Sequence, residues 1–237
     1  MNILLLPQLV NSQSSIGITD PSQIKHVQQV LELKAGDSLK VGSLNGKLGT
    51  AVIEAVSDTQ LKLGSLNLDT MPPSKLDLTV VLALPRPKVL RRLIMDMTAI
   101  GVAEIILVNS YRTDKSYWQS PMLNRIDEFV TEGLQQGIDT IPPSIQLKKR
   151  FKPFVEDELS LWVKDRSLVV AHPYSSLSFN AYIEQAGLPQ VLCIGAEGGW
   201  IDYEVALLQD NGCQPVNIGS RILRTEAAVN ALCGRYL

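Results

Sequence analysis

The sequence is poor in the residues that build metal sites and disulfide frameworks. It has three cysteines, Cys193, Cys213 and Cys233, and two histidines, His26 and His172. The cysteines form no close pair and the histidines lie far from them along the chain. This argues against structural zinc and disulfide scaffolds and fits a reducing cytosol. No apolar run approaches the ~20 residues of a membrane-spanning helix. The opening Met1-Asn2-Ile3-Leu4-Leu5-Leu6-Pro7 lacks the basic residues and the length of a secretion signal, and reads as a first strand. Internal repeats and low-complexity tracts are absent. A strong charge excess is missing too: 22 Lys and Arg against 24 Asp and Glu leave −2, so bulk charge lends nucleic-acid binding no support. What is present is apolar mass. With 45% apolar residues in 237, the chain can bury real cores in one or two domains.

The charge is unevenly spread. Residues 76–155 carry eleven basic against eight acidic side chains, and residues 156–237 carry five against ten. Basic residues cluster as Arg86, Lys88, Arg91 and Arg92, and again as Lys148, Lys149, Arg150 and Lys152. Such clusters suit a phosphate backbone. They equally suit a solvated helix face and a charged loop.

Two regions differ in rhythm. In the first, Gly36-Asp37 and Asn45-Gly46 are turn signals between short, partly alternating runs at Ser38–Val41, Leu48–Val56 and Leu61–Leu66. One helix is expected after Asp20-Pro21, with Asp20 as cap and Pro21 at the first helical position. A small β-barrel with one helix fits, closed by a linker at Met71-Pro72-Pro73-Ser74. From Leu76, strand and helix alternate. Strands are expected at Leu78–Leu84, Glu104–Asn109, Leu168–Ala171, Val191–Gly195 and Pro215–Ile218. Helices are expected at Lys88–Ile100, closed by Gly101, from Pro121 to about Gln136, and at Ser178–Gln185, Asp202–Asp210 and Thr225–Tyr236. That alternation predicts an α/β domain with a parallel sheet.

Ligands of open α/β sheets bind beyond the carboxyl ends of the strands. Three such ends stand out: Ala171-His172-Pro173, Ile194-Gly195-Ala196-Glu197-Gly198-Gly199-Trp200, and Ile218-Gly219-Ser220-Arg221-Ile222-Leu223-Arg224-Thr225-Glu226. The glycines let a ligand approach the main chain. The spacing is neither the dinucleotide fingerprint nor a phosphate loop. Glu197, inside the glycine turn, suits either backbone amides or a ligand. Arg221 and Arg224 precede a helix that Thr225 can cap, with Glu226 in its first turn. Two arginines beside Ile222-Leu223 suit an anionic or RNA substrate, and also an ordinary capped helix.

The pair IGAEGG and IGSRILRTEAA resembles the two signature loops of the bacterial 16S rRNA uridine N3-methyltransferases, the RsmE family of the SPOUT class. The resemblance extends over nearly the whole chain, including the helix around His26 and the Lys34–Asp37 turn. It implies a PUA-like, RNA-binding β-barrel over residues 1–73 and a trefoil-knotted α/β methyltransferase domain over 74–237. It further implies S-adenosylmethionine as cofactor and no metal. The partners it implies are 16S rRNA or the small ribosomal subunit and a second copy of the chain, in the cytoplasm and away from membranes. On this resemblance the cofactor contacts are His172, Ile194, Gly195, Glu197, Gly198, Gly199, Ile218, Gly219 and Leu223. Arg224 is the expected catalytic residue. Lys25, His26, Arg86, Lys88, Arg91, Arg92, Arg112 and Arg221 are the expected RNA contacts. The dimer face is sought on Ala228, Val229 and Leu232.

The chain departs from the family pattern at Ala196, Ala99, Gln135-Gln136 and Ile138-Asp139-Thr140. Those departures raise a rival: an RNA-binding paralogue, non-catalytic or aimed at another site. A third reading, an ordinary nucleotide-binding α/β enzyme, is disfavoured by the missing phosphate fingerprints.

Overall fold

The computed structural model describes residues 2–7, 15–162 and 164–237. Two compact units divide the chain: Met1–Ser74 with Val130–Pro142, and Lys75–Phe129 with Pro143–Leu237. The sequence reading divides the chain once, at 73/74, and so groups residues 130–142 with the remainder.

The first unit holds β1 (Leu4–Leu6), β2 (Ser15–Ile18), α1 (Pro21–Lys25), β3 (Ser38–Ser43), β4 (Leu48–Val56) and β5 (Leu61–Thr70). Its five strands form one sheet in the order β1-β3-β4-β5-β2, antiparallel except for the β1–β3 pair. Helix α1 starts where the sequence says it must. The Asp20 carboxylate accepts the N–H groups of Ser22 at 2.7 Å and Gln23 at 3.2 Å, and Pro21 opens the helix. A wide π turn, His26–Val30, prolongs it. Ile24 and Val27 then join Leu4, Leu6, Val41, Ile53, Leu61 and Leu63 in the core. Strand β2 was not anticipated, being four residues with a glycine inside.

The second unit is built on β6 (Leu76–Ala83), α2 (Pro87–Ile100) and β7 (Val102–Val108). Then come α3 (Ile126–Gly137), at whose middle the two units divide, β8 (Ser144–Lys148), α4 (Phe151–Pro153) and α5 (Ser160–Trp162). It ends with β9 (Leu168–Ala171), α6 (Phe179–Ala186), β10 (Val191–Ile194), α7 (Asp202–Asp210), β11 (Cys213–Val216) and α8 (Thr225–Cys233). All six strands are parallel, in the order β11-β9-β10-β6-β7-β8. Strand β6 is buried almost throughout, as a strand covered on both faces should be. Gly101, at φ 96°, ends α2 in the left-handed conformation that glycine adopts without a Cβ clash.

Three expectations are corrected. The helix expected from Pro121 begins as a 3-10 turn, Pro121–Arg125, itself preceded by another over Lys115–Gln119, and becomes α-helical only at Ile126. Strand β8 and the helical turns over 151–162 fall where the sequence suggests a charged loop, because a five-residue edge strand carries too little pattern to announce itself. Strand β11 ends at Val216 rather than Ile218, and Pro215 is tolerated inside it because it lies at the sheet edge.

Candidate functional site

Strands β11, β9 and β10 are neighbours, so the loops leaving their carboxyl ends converge. Together they line a cleft: Ala171–Tyr174 from β9, Ile194–Trp200 from β10, and Ile218 with Arg221–Leu223 after β11. Arg112, Thr225 and Ala228 complete the wall. Of the residues expected at the cofactor, His172, Ile194, Gly195, Glu197, Gly198, Gly199, Ile218 and Leu223 border this cleft. Gly219 does not. It sits at φ 126°, and its N–H donates to Asn217 Oδ1 at 2.9 Å, so it turns the loop. Trp200 and Thr225, just beyond the expected loops, line the cleft as well.

Each glycine of the β10 loop has its own reason. A Cβ on Gly195 would lie 2.9 Å from the Gly199 Cα and 3.0 Å from the Trp200 nitrogen, so the loop closes main chain on main chain there. Gly199 has φ 67°, which a branched residue resists. Gly198 has no positive φ. A Cβ there would instead meet the Arg112 side chain, 2.8 Å from its Cδ.

That arginine belongs to a clasp. Arg112 Nη1 donates to the Gly198 carbonyl. One residue earlier, the Tyr111 N–H donates to Glu204 Oε1 at 2.7 Å, while Glu204 Oε2 accepts the Ile201 N–H at 3.1 Å. Glu204 is 3% exposed, so both carboxylate oxygens are spent joining the β7 loop to the start of α7. Glu197 Oε1 likewise accepts the Arg86 N–H, at 3.0 Å, tying the glycine loop to the end of β6. Backbone amides are therefore what Glu197 serves. Glu204 was missed because its partner lies far away in sequence. The one local signal was an acid in the first turn of a helix.

Arg221 borders the cleft, whereas Arg224 occupies the cap position of α8 and lies exposed just outside the lining. Glu226 lies in the first turn of α8. It pairs with Arg92 at 2.7 Å and so ties α8 to α2. Arg91 lies 5.9 Å from the Phe129 ring centre. Arg86 and Lys88 are exposed near the start of α2. In the first unit Lys25 is exposed, while His26 buries its Nε2 without a hydrogen-bond partner among the described residues. The expected dimer face is corrected: Val229 and Leu232 are fully buried within the chain, and Ala228 faces the cleft. Among the described residues no cluster of three or more potential metal ligands exists, and no helix is long and apolar enough to cross a membrane.

The positions that depart from the family pattern are mostly internal. Gln135, Asp139 and Thr140 are buried. The Gln135 carbonyl accepts the N–H groups of Asn2 and Ile3, Asp139 Oδ1 accepts those of Thr140 and Ile141, and the Thr140 hydroxyl donates to the Gly46 carbonyl. They knit the first unit together.

Comparison with known proteins places the chain. The RNA methyltransferase domain model matches residues 72–236, and the RNA methyltransferase PUA domain model matches residues 18–64. Ribosomal RNA small subunit methyltransferase E of Treponema pallidum is 28% identical over 242 residues, covering 100% of this chain and 91% of its own. The protein of the same name, number 1, from Borreliella burgdorferi is 27% identical, over 98% of this chain and 95% of its own. Among solved structures, ribosomal RNA small subunit methyltransferase E from Neisseria gonorrhoeae, bound to S-adenosyl methionine, superposes with a TM-score of 0.78 at 19% identity, over 99% of this chain and 96% of that one. A Legionella pneumophila protein in complex with the cofactor SAM gives 0.77 at 21% identity, over 100% and 97%. With one model spanning well over half its length and the fold repeated in these structures, the chain belongs to the RNA methyltransferase domain family.

Proposed function

We propose that the protein transfers a methyl group from S-adenosylmethionine to N3 of a uridine in 16S rRNA. The observation that carries this reading is the cleft itself, walled by main chain at three strand ends in a chain that matches the RNA methyltransferase domain model. The fit to an adenosine-like occupant is physical. Gly195 and Gly199 leave no side chain between ligand and backbone, and Ile194, Ala196 and Trp200 add apolar surface to the wall.

The cofactor supplies an already activated methyl on a sulfonium. The chain must align nucleophile, methyl and sulfur, which is chiefly a matter of positioning. Main-chain groups of Ile194–Gly199 and Ile218–Leu223 hold adenine and ribose, with His172 beside them. Uracil N3 gives up its proton to solvent as the N3–methyl bond forms and the methyl–sulfur bond breaks, so negative charge develops on the base. Arg224, exposed next to Thr225 of the cleft wall and without an ion-pair partner among the described residues, stabilises that charge. Arg221 holds the neighbouring phosphate or base.

The finer architecture goes with the same reading. The five-stranded sheet of the first unit is a PUA-like module that binds RNA. The second carries a trefoil knot, a reading supported by the path of the chain after β11. From the sheet edge it returns past β9 and β10 to pack α8 on α2, through Arg92–Glu226 and the Asn230–Asp96 hydrogen bond. The protein works as a homodimer in the bacterial cytoplasm, where its substrate is made. Two of the departures, Asp139 and Thr140, have a structural role, since their side chains serve internal hydrogen bonds.

Tritium transfer from labelled S-adenosylmethionine to small subunits of a deletion strain tests the reading. Label in a 3-methyluridine of 16S rRNA is the expected result. Cofactor binding with no transfer to any ribosomal RNA overturns it. Sedimentation at micromolar concentration checks the dimer, and a monomer counts against it.

A further inference from the structure

We propose that the carboxyl ends of β7 and β8 form a docking surface for a single-stranded segment of the substrate RNA, with Lys115, Lys149 and Arg150 on its phosphates and Tyr111 stacked on a base. The inference rests on the RNA-substrate reading above but is tested separately.

Some basic side chains of the second unit are spent on carboxylates and others are not. Lys148, Lys152, Arg125 and Arg92 are each paired with a carboxylate: Glu158, Glu156, Glu128 and Glu226. Lys115, Lys149 and Arg150 are exposed and have no ion pair among the described residues. All three follow the ends of adjacent strands. The β7–β8 ladder runs to Val108 opposite Lys148, and the Asn109 N–H then donates to the Lys148 carbonyl at 3.0 Å. Lys149 and Arg150 therefore leave β8 beside the segment that carries Tyr111 and Lys115. Unpaired cations at one edge keep their full charge for an external anion, whereas the paired ones are already neutralised.

Tyr111 stands among them with 79% of its surface exposed. A large ring left in water on a loop suits an unstacked base, because every base offers a π-face. Its backbone is not loose: Glu204 holds the Tyr111 N–H, and Ser110 and Thr113 share a buried hydroxyl contact at 2.9 Å. The ring is thus presented on a fixed loop, at low ordering cost on binding. The next residue, Arg112, reaches the cleft wall, so the surface is continuous with the site. From β10 to β8 is three strand spacings, about 14 Å. That suits roughly four nucleotides of a stacked strand at about 3.4 Å each.

The test uses the full chain, a fluorescently labelled dodecamer of uridylate, and anisotropy across a sodium chloride series. Lys149→Ala/Arg150→Ala is expected to weaken binding and to flatten the slope of log K against log salt by about 1.4, since each lost single-strand phosphate contact is worth about 0.7. Tyr111→Ala is expected to weaken binding roughly five- to 150-fold with the slope unchanged. Melting temperature and S-adenosylmethionine affinity should stay at wild-type values, which separates a lost contact from a damaged fold. Wild-type affinity and slope in the double variant overturn the inference, as does a wild-type protein that does not bind the dodecamer. RNA binding that needs Lys149 and Arg150, without methyl transfer by the wild type, upholds the surface and overturns the methyltransfer reading instead.

Discussion

The two units solve burial differently, and the difference decides where chemistry is possible. In the first, strands are half-exposed: β5 reads buried, exposed, buried at its start and turns outward by its end, and β2 has a single buried residue. Its sheet offers a face. In the second, β6, β9 and β10 are almost wholly buried and all strands run the same way. The central strands of such a sheet have no free face, so they can meet a ligand only at their ends, and parallel strands put all their carboxyl ends together. The glycine loops, the cleft and the unpaired cations lie at that edge. The first unit spends its polar groups on itself, through Asp20 on α1 and through Asp139 and Thr140 on the segment that completes the unit.

Substitutions in the two units should therefore read out differently. The largest effect is expected at Arg224. Arg224→Ala should cut methyl transfer by ~10²–10³, the usual cost of one charge-stabilising donor, and leave cofactor affinity nearly intact. Arg224→Lys should rescue little, because an ammonium lacks the planar fork. Turnover and calorimetry on both variants decide this. Near-normal turnover in Arg224→Ala would move the role to Arg221, which borders the cleft.

Next comes the glycine loop. Gly195→Ala forces a methyl group against the Gly199 and Trp200 backbone. Overpacking of this kind costs about 1–3 kcal/mol, so cofactor affinity should fall roughly five- to 150-fold while the first unit is untouched. Gly198→Val should lose at least as much, since a Cβ there would lie 2.9 Å from the Arg112 Cβ, which the main chain fixes. Wild-type cofactor affinity in Gly198→Val would remove this loop from the cofactor site.

A smaller effect is expected in the first unit. The Asp20 carboxyl is held below its usual range, first by the Ser22 hydroxyl and then by the amides it caps. A depressed carboxyl stabilises the fold fully above its unfolded pKa, about 3.9, and the stabilisation fades as pH falls through the lower folded value. Asp20→Ala should cost about 1 kcal/mol at pH 7 and less as the pH drops below 4, with methyl transfer per folded molecule unchanged. Thermal melts against pH check the first point and turnover the second.

The smallest signal is expected from the cysteines. The Cys193 thiol, 4.0 Å from that of Cys213, is pushed well up by that hydrogen bond and by burial, and burial pushes Cys233 up to about 12. Thiolate is the reactive form, so native protein at pH 8 should resist a thiol reagent until it unfolds. Rapid labelling of folded protein would show that the second unit opens far more readily than its buried sheet implies.

Much of this was legible in the residues. The Asp20-Pro21 start, the Gly101 stop, the buried run of β6 and the glycine-rich strand ends each announce themselves within a few positions, and the structure places them accordingly. What escaped was short or partnered at a distance. Strands β2 and β8, read as SIGI and SIQLK, lack the unbroken apolar run that marks the equally short β9 and β10. The 3-10 start before α3 shares its cap residues with an ordinary helix start.

By itself the sequence determined most of the longer strands and helices, and which loops are stripped of side chains. Periodicity and glycine content act over a few residues and need no partner. Only the tertiary structure decided what the charges do. Glu204 reaches Tyr111 across 93 positions, and Glu226 reaches Arg92 across 134. Whether a cation is spent on a carboxylate or left for a ligand depends on which strands become neighbours. The sheet order sets that, and no local pattern encodes it.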